Sequence, residues 1–282
     1  MPEPVTPSSA DRWESGAAYE GYIGRWSRLV AREFLDWLDL PDGLAWLDVG
    51  CGTGVLTRAI LESCAPRSVV GVDPSGGFLD HARATTSDAR TRFERGNADA
   101  TGQDDASFDV AVAGLVLNFV PDVRAALAEA QRVVRPGGTV GAYVWDYASG
   151  MQLIRVFFDA AIALDPAMAA HDEAVRFPIT HEGRLAETFE AAGMLDVDHR
   201  PIDVPTVFRD FDDLWTPFLG GTGTAPTYVA TLDERARDAL RDRLHNSLPI
   251  EADGSIRLTA RAWAVRGRRA PRPGRPPRQP GS

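Results

Sequence analysis

Three glycines at alternate positions, Gly50, Gly52 and Gly54, lie between a short apolar run (residues 45 to 49) and a helix-length segment that begins at Val55. Such a loop lets the backbone approach a ligand closely and turns the amides of the following helix toward it. Asp73 closes the next apolar run, 25 residues after Asp48. An acid at that place accepts both hydroxyls of a ribose at the switch-point edge of a parallel sheet. Loop and acid therefore occur in the order that a nucleoside site requires, and Ser75 is the better candidate for capping the helix that follows. The dinucleotide fingerprint GxGxxG would need a third glycine where this chain has Thr57 or Val55, so NAD is the second choice of ligand.

Composition narrows the other chemistries. Two cysteines, Cys51 and Cys64, build no disulfide framework and lack metal-ligand spacing with any histidine, so no metal is expected. All 30 basic residues are Arg. Without lysine the chain has neither an internal Schiff-base amine nor the GxxxxGK[ST] phosphate loop. Net charge is −10, and the 23 Arg that precede Arg261 face all 40 acids. An acidic body speaks against nucleic acid as the main partner. The last fifteen residues (RRAPRPGRPPRQPGS) are almost devoid of apolar side chains and read as a disordered, passive tail. The N-terminus has no basic start or apolar h-region, and Val110 to Val120, the longest nearly uncharged apolar stretch, is too short to span a bilayer. A cytoplasmic protein without membrane association is expected.

Residues 26 to 40 repeat apolar side chains at three and four and predict an amphipathic helix stopped by Pro41, Asp42 and Gly43. AWLDV (45 to 49), SVVGVD (68 to 73), FDVAVAG (108 to 114) and TVGAYVW (139 to 145) are Val-rich runs separated by helical segments. That alternation predicts a parallel sheet covered on both faces. VDHRPIDVP (197 to 205) and SIRLTARAWAV (255 to 265) alternate instead and predict antiparallel pairing at one edge, with a long helical insert between them. No internal repeat is evident.

In these residues the chain resembles the class I S-adenosylmethionine-dependent methyltransferases, in the small-molecule-like branch called type 11. DVGCGTG is similar to the first family motif, VVGVDPS to the second, ERGNA to the third, FDVAVAGLVLNFVPD to the fourth, and RPGG (135 to 138) to the turn before the fifth strand. The motifs span residues 20 to 145; the later strands match in pattern only. The resemblance implies a Rossmann-like α/β fold: seven strands, mostly parallel, the last antiparallel, helices on both faces and a helical insert between the last two strands. It implies S-adenosyl-L-methionine as cofactor. Gly50, Cys51 and Gly52 would line the methionine moiety, with Asp48 fixing the loop. Asp73 would bind the ribose, Pro74 and Phe78 would flank the adenine, and Gly114, Leu115 and Asn118 of the fourth motif would border the cofactor. The family's third-motif acid is replaced here by Asn97, followed by Ala98; Asn keeps an acceptor oxygen but not the charge, and Asp99 takes the role if the register slips. EGYIGRWSR is similar to segments in which a tyrosine and an arginine fold over the cofactor carboxylate. Tyr22 and Arg25 would do so here; the alternative is that Tyr22, Arg25 and Trp26 pack the first helix.

Methyl transfer from a sulfonium is an in-line displacement in which positioning carries most of the rate. A base is needed only for a protonated acceptor. Asn118, Asp146, His171 and His181 are candidates, and none stands out, so no catalytic residue is assigned. Residues 1–43 are expected to form an N-terminal lid, 44–267 the catalytic domain and 268–282 the tail. Inserts at 147–193 and 206–250 would select a small-molecule acceptor, because loops beyond the strand ends form the site. Phe157 and Phe158 are expected in the core; Trp215, Phe218 and Tyr228 form either a cover or a packed connector. The oligomeric state and the acceptor are not legible. The competing readings are an NAD-dependent oxidoreductase, a nucleoside-binding regulator without turnover, and RNA methylation aided by the basic tail.

Overall fold

The computed structural model describes residues 24–220 and 223–271. Seven strands form one sheet in the order β3-β2-β1-β4-β5-β7-β6. They are β1 (Ala45–Val49), β2 (Ser68–Asp73), β3 (Thr91–Arg95), β4 (Phe108–Gly114), β5 (Val134–Trp145), β6 (Leu195–Phe208) and β7 (Ile256–Arg268). The pairs among β1 to β5 are parallel, and β7 runs antiparallel to both β5 and β6. Four of the Val-rich runs are strands because both of their faces are covered. In β1, Trp46 turns to one apolar cluster while Ala45, Leu47 and Val49 turn to the other. In β4, Val110 and Val112 face the first cluster and Phe108, Ala111 and Ala113 the second. A strand buried on both sides reads as a continuous apolar run, which is how the sequence shows it.

Helix α1 (Arg25–Leu38) buries Trp26, Val30, Ala31, Phe34, Leu35 and Leu38 in the first cluster, together with α2 (Val55–Ser63). This part of the expected lid is thus built into the main core: the Phe34 ring packs 4.8 Å from Tyr143 of β5, and a side chain at Gly141 would strike it. Residues 1–23 lie outside the described residues. Helix α3 (Gly76–Thr85) follows β2, its first turn capped by Ser75 Oγ, which accepts from the Phe78 amide at 3.3 Å. Helix α4 (Val123–Val133) covers the second face.

After β5, α5 (Gln152–Leu164), α6 (Glu173–Arg176) and α7 (Arg184–Ala191) lead to β6. Between β6 and β7 lie α8 (Phe211–Trp215), α9 (Thr224–Thr231) and α10 (Glu234–Ser247). Phe157 and Phe158 of α5 are fully buried, and the Phe157 ring stacks on Phe218 at 4.7 Å. Trp215 and Phe218 are therefore packed against the core, while Tyr228 is half-buried. Strand β6 is a sheet edge whose exposed outer half includes Pro201 and Pro205. Strand β7 runs one residue past the expected domain boundary, and Arg269 still exchanges backbone hydrogen bonds with Gly137 and Gly138. The tail from residue 272 onward lies outside the described residues. Among the described residues no helix is long and apolar enough to cross a membrane.

Candidate active site

The chain runs from β1 through β2 to β3 in one direction, then returns to place β4 on the other side of β1. The carboxyl ends of β1 and β4 therefore splay into a crevice at a topological switch point. Its inner recess is about 130 Å³ and is walled by Asp48, the glycine loop, Leu115, Val116, Tyr143 and Ser27. Its outer part continues along Pro74, Ser75, Arg95, Asn97, Ala98 and Asp99; Gly50, Asp73, Phe78, Val116 and Phe119 border both parts.

The loop turns sharply because Gly50, Gly52 and Gly54 have φ of 69°, 52° and 82°. At Gly50 a Cβ would also lie 2.4 Å from Val116, whereas the space over Gly52 is open. The Gly50 and Cys51 amides both donate to the Val72 carbonyl, at 2.7 and 3.1 Å, which ties the loop to β2. Gly114 is required for a different reason: a Cβ there would sit 2.6 Å from the Tyr143 hydroxyl. Leu115, the next residue, carries a left-handed φ of 60° at the crevice wall. Backbone strain of this kind concentrates where a site needs it.

Two carboxylates govern the electrostatics. Asp73 is 6% exposed; its Oδ2 accepts from the Gly52 amide at 3.0 Å and its Oδ1 from the Ser75 amide at 2.8 Å. Each carboxylate oxygen has a further lone-pair site, so Asp73 keeps capacity for two hydroxyl donors from the crevice. Burial raises its pKa, and the two amides partly counter that. Asp48 is 1% exposed; Thr57 Oγ1 donates to its Oδ2 at 2.6 Å, while Oδ1 has no partner. Burial pushes Asp48 up to about 7, and the charge of Asp73 adds to the rise. The Cys51 thiol is driven up by burial and by both acids, and stays protonated. An orphaned buried oxygen calls for a donor from outside the chain. This orphan, the open space over Gly52 and the spare acceptors of Asp73 fit a ligand with a cationic or amine end and a ribose.

Of the residues expected at the site, Asp48, Gly50, Cys51, Gly52, Asp73, Pro74, Phe78, Asn97, Ala98, Gly114 and Leu115 border this crevice. Both Asn97 and Asp99 line its outer part. Asn118 lines a neighbouring recess with Arg176 and Phe177, and its Nδ2 is buried without a partner. Arg25 is turned to α8: Nη1 donates to Asp213 Oδ1 at 3.3 Å, and the guanidinium lies 4.6 Å from the ring centres of Trp26 and Phe208. That is the packing alternative, favoured because cation and π contacts flank the group on the core side. Tyr22 lies outside the described residues. Asp146 is fully buried and caps its own turn through the Ser149 amide and hydroxyl, at 2.9 and 2.8 Å. His181 Nε2 contacts the Ala174 carbonyl at 2.8 Å, and His171 is exposed.

Ser27, Val116, Phe119 and Tyr143 line the inner recess and went unassigned in the sequence. Ser27 was findable: it shares the helical face of Val30, Ala31 and Phe34. Tyr143 alternates in phase with Trp145 on β5, so its face was legible but its neighbours were not.

Residues 47–141 match the family described as "Methyltransferase domain". Nocamycin O-methyltransferase of Saccharothrix syringae is 29% identical over 88% of this chain and 94% of its own length. Demethylmenaquinone methyltransferase of Geobacillus stearothermophilus is 30% identical over 68% of this chain and 86% of its own. The match to a 37.1 kDa protein of transposon TN4556 from Streptomyces fradiae spans only 34% of that relative. Among solved structures, phosphoethanolamine N-methyltransferase 2 of Haemonchus contortus, in complex with S-adenosyl-L-methionine, aligns with a TM-score of 0.56 at 18% identity, over 91% of this chain and 56% of that one. A glycine-loop crevice at the switch point of a sheet of this order, the family match and relatives at this identity and coverage agree: the chain belongs to the class I S-adenosylmethionine-dependent methyltransferases.

Proposed function

We propose that this protein methylates a small molecule, holding S-adenosyl-L-methionine along the crevice between β1 and β4. Asp73 would accept the ribose hydroxyls, and Asp48 Oδ1 would face the amine end through the Gly50–Gly52 loop. Pro74, Phe78, Asn97 and Ala98 would border the base. The cofactor supplies an already activated methyl group, so the chain's work is orientation and exclusion of water. The observation that carries this reading is the pair of buried carboxylates on either side of the glycine loop, one with spare acceptor sites and one with an orphaned oxygen.

A small-molecule acceptor is supported by the relative matched over almost its whole length, which is named for O-methylation of nocamycin, and by the demethylmenaquinone enzymes. The inserts at 147–193 and 206–250 would form the acceptor side, since both extend beyond the strand ends of β5 and β6. Of the candidate bases, Asp146 is engaged by its own turn and His181 by the Ala174 carbonyl.

Thermal unfolding with S-adenosylhomocysteine, S-adenosyl-L-methionine and NAD in parallel tests the cofactor assignment. A ligand at about 100 times its dissociation constant stabilises by roughly 2.7 kcal/mol, a rise in Tm on the order of 5 °C for a chain of this size. The two sulfur nucleosides should produce it and NAD should not; a shift with NAD alone refutes the reading.

A further inference from the structure

Beside the crevice, and sharing Phe119, Val120 and Pro121 with its outer part, lies a recess of about 180 Å³. One wall is the connection from β4 to α4, residues 117–121 and 123; the other is residues 176–179 of the insert that follows β5. Every lining side chain is apolar except Asn118 and Arg176. The Phe119 and Phe177 rings meet edge-on across the two walls, 5.3 Å apart at 75°, and Tyr147, just past β5, lies 6.1 Å from Phe177. Arg176 is engaged by the protein itself: Nη1 donates to Thr224 Oγ1 at 2.8 Å, and the guanidinium lies 4.9 Å from the centre of the Phe177 ring. It serves as wall. The insert is pinned in place by Arg155 of α5, which donates to both carboxylate oxygens of Asp172, at 2.8 and 2.7 Å, and to the Tyr147 carbonyl at 3.0 Å. Asp172 in turn caps α6 by accepting from the Ala174 amide at 2.9 Å. The recess is thus preformed, as binding sites for small molecules usually are. Asn118 is the exception to this saturation. Its Nδ2 is buried without a partner, a cost that folding alone does not recover. Turning the amide so that Nδ2 faces the recess gives up no hydrogen bond of that group.

We propose that this recess holds one ring of the methyl acceptor, an aromatic ring that bears an oxygen, and that the oxygen accepts a hydrogen bond from Asn118 Nδ2. The proposal rests on the reading of the crevice as a methyltransferase site, to which it adds the class of acceptor and a residue that selects it. An apolar cavity of about 150 Å³ binds benzene, so this one has room for a single ring with a small substituent. Phe119 and Phe177 offer that ring the edge-on and offset contacts that aromatic groups prefer. A sugar or a phosphate would leave most of its polar atoms against apolar walls. Phe119 also borders both parts of the crevice, so the remainder of a larger acceptor passes over it toward the cofactor. Asn118 binds and orients; an amide takes no proton, and the oxygen it holds is a handle for recognition.

Fluorine NMR titration of the full chain with para-fluorophenol and with fluorobenzene tests this, and calorimetry with S-adenosylhomocysteine on the same samples tests the reading beneath it. Both ring probes should bind saturably, the phenol about fivefold more tightly, as one added hydrogen bond allows. Asn118→Leu, close in volume and without the amide, should remove that preference while fluorobenzene binds as before. Val123→Trp, which fills the recess, should abolish binding of both probes. Circular dichroism and retained affinity for S-adenosylhomocysteine report that each variant is folded, and Asn118→Leu alone decides the matter if Val123→Trp does not fold. No saturable binding to the unaltered chain, a phenol preference that survives in Asn118→Leu, or probe binding that survives in a folded Val123→Trp overturns the proposal. Failure of the unaltered chain to bind S-adenosylhomocysteine overturns the methyltransferase reading instead, and with it the identification of the ring as part of a methyl acceptor.

Discussion

Asp48 and Glu129 are both buried carboxylates on elements that flank the same sheet, and their surroundings are opposite. Glu129, on α4, accepts from the Thr101 amide and hydroxyl at 2.9 and 2.6 Å and from two nitrogens of Arg132 at 2.7 and 2.8 Å. The Arg132 bonds, helped by Thr101, hold its pKa down at about 2. Asp48 is bonded by Thr57 alone and has one bare oxygen, and burial raises it to about 7. Glu129 belongs to a closed network that fixes a loop to a helix. Asp48 belongs to an open one, with an acceptor oxygen left over. A saturated buried acid is architecture, while an unsaturated one at a strand end is a socket.

The most severe way to break the open network is Asp73→Ala, which removes both acceptor oxygens that the proposed ribose site relies on and frees the Gly52 amide. Affinity for S-adenosylhomocysteine should fall at least about 100-fold, roughly 2.7 kcal/mol, with the circular dichroism spectrum retained. Unchanged affinity in calorimetry would refute the ribose assignment. The closed network should respond in the other currency: Glu129→Leu strands the Thr101 amide and uncouples Arg132, a destabilisation of about 2 kcal/mol measurable by urea unfolding, with nucleoside affinity unaltered.

The two acids should also give opposite pH signatures. Asp48, raised from 3.8 to about 7, favours its protonated form on folding, so its contribution is fully present below pH 4 and is lost as pH rises toward 7. Glu129, lowered from 4.5 to about 2, contributes above its unfolded value and loses that as pH falls through 2. Asp48→Asn should therefore flatten the decline in Tm between pH 4 and 7 and leave the acid limb in place. The smallest effect belongs to an exposed pair outside both networks: Arg184→Ala, which removes the 2.9 Å contact to Glu187 with both side chains 61% exposed, should change stability by no more than about 0.5 kcal/mol.

Local pattern carried the open network unusually far. Asp48, Asp73 and the loop glycines lie within 26 residues, on two strands whose apolar runs declare themselves, so their meeting followed from strand order. Phe119 and Tyr143 reach the same crevice from later segments, and no periodicity links them to Gly50 or Gly114. β3 was legible only through the motif at its end, because TRFER is a half-exposed edge strand without an apolar run. Arg25 shows the limit of resemblance: its sequence context is shared by a carboxylate clamp and by a packed helix start, and only the position of Asp213, 188 residues away, separates them. The closed network had no local signature at all, since Thr101 and Glu129 are joined across 28 residues of loop and strand.

Pro201 and Pro205 give the outer strand β6 a further consequence. A strand can recruit another chain only by offering a row of free amide donors, and proline has none to offer. The far edge, β3, is held by Arg92, Glu94 and Arg95, whose charges resist being sandwiched against a second copy. Proline at one margin and charge at the other both work against strand addition. Among the described residues, neither margin of the sheet invites a further strand.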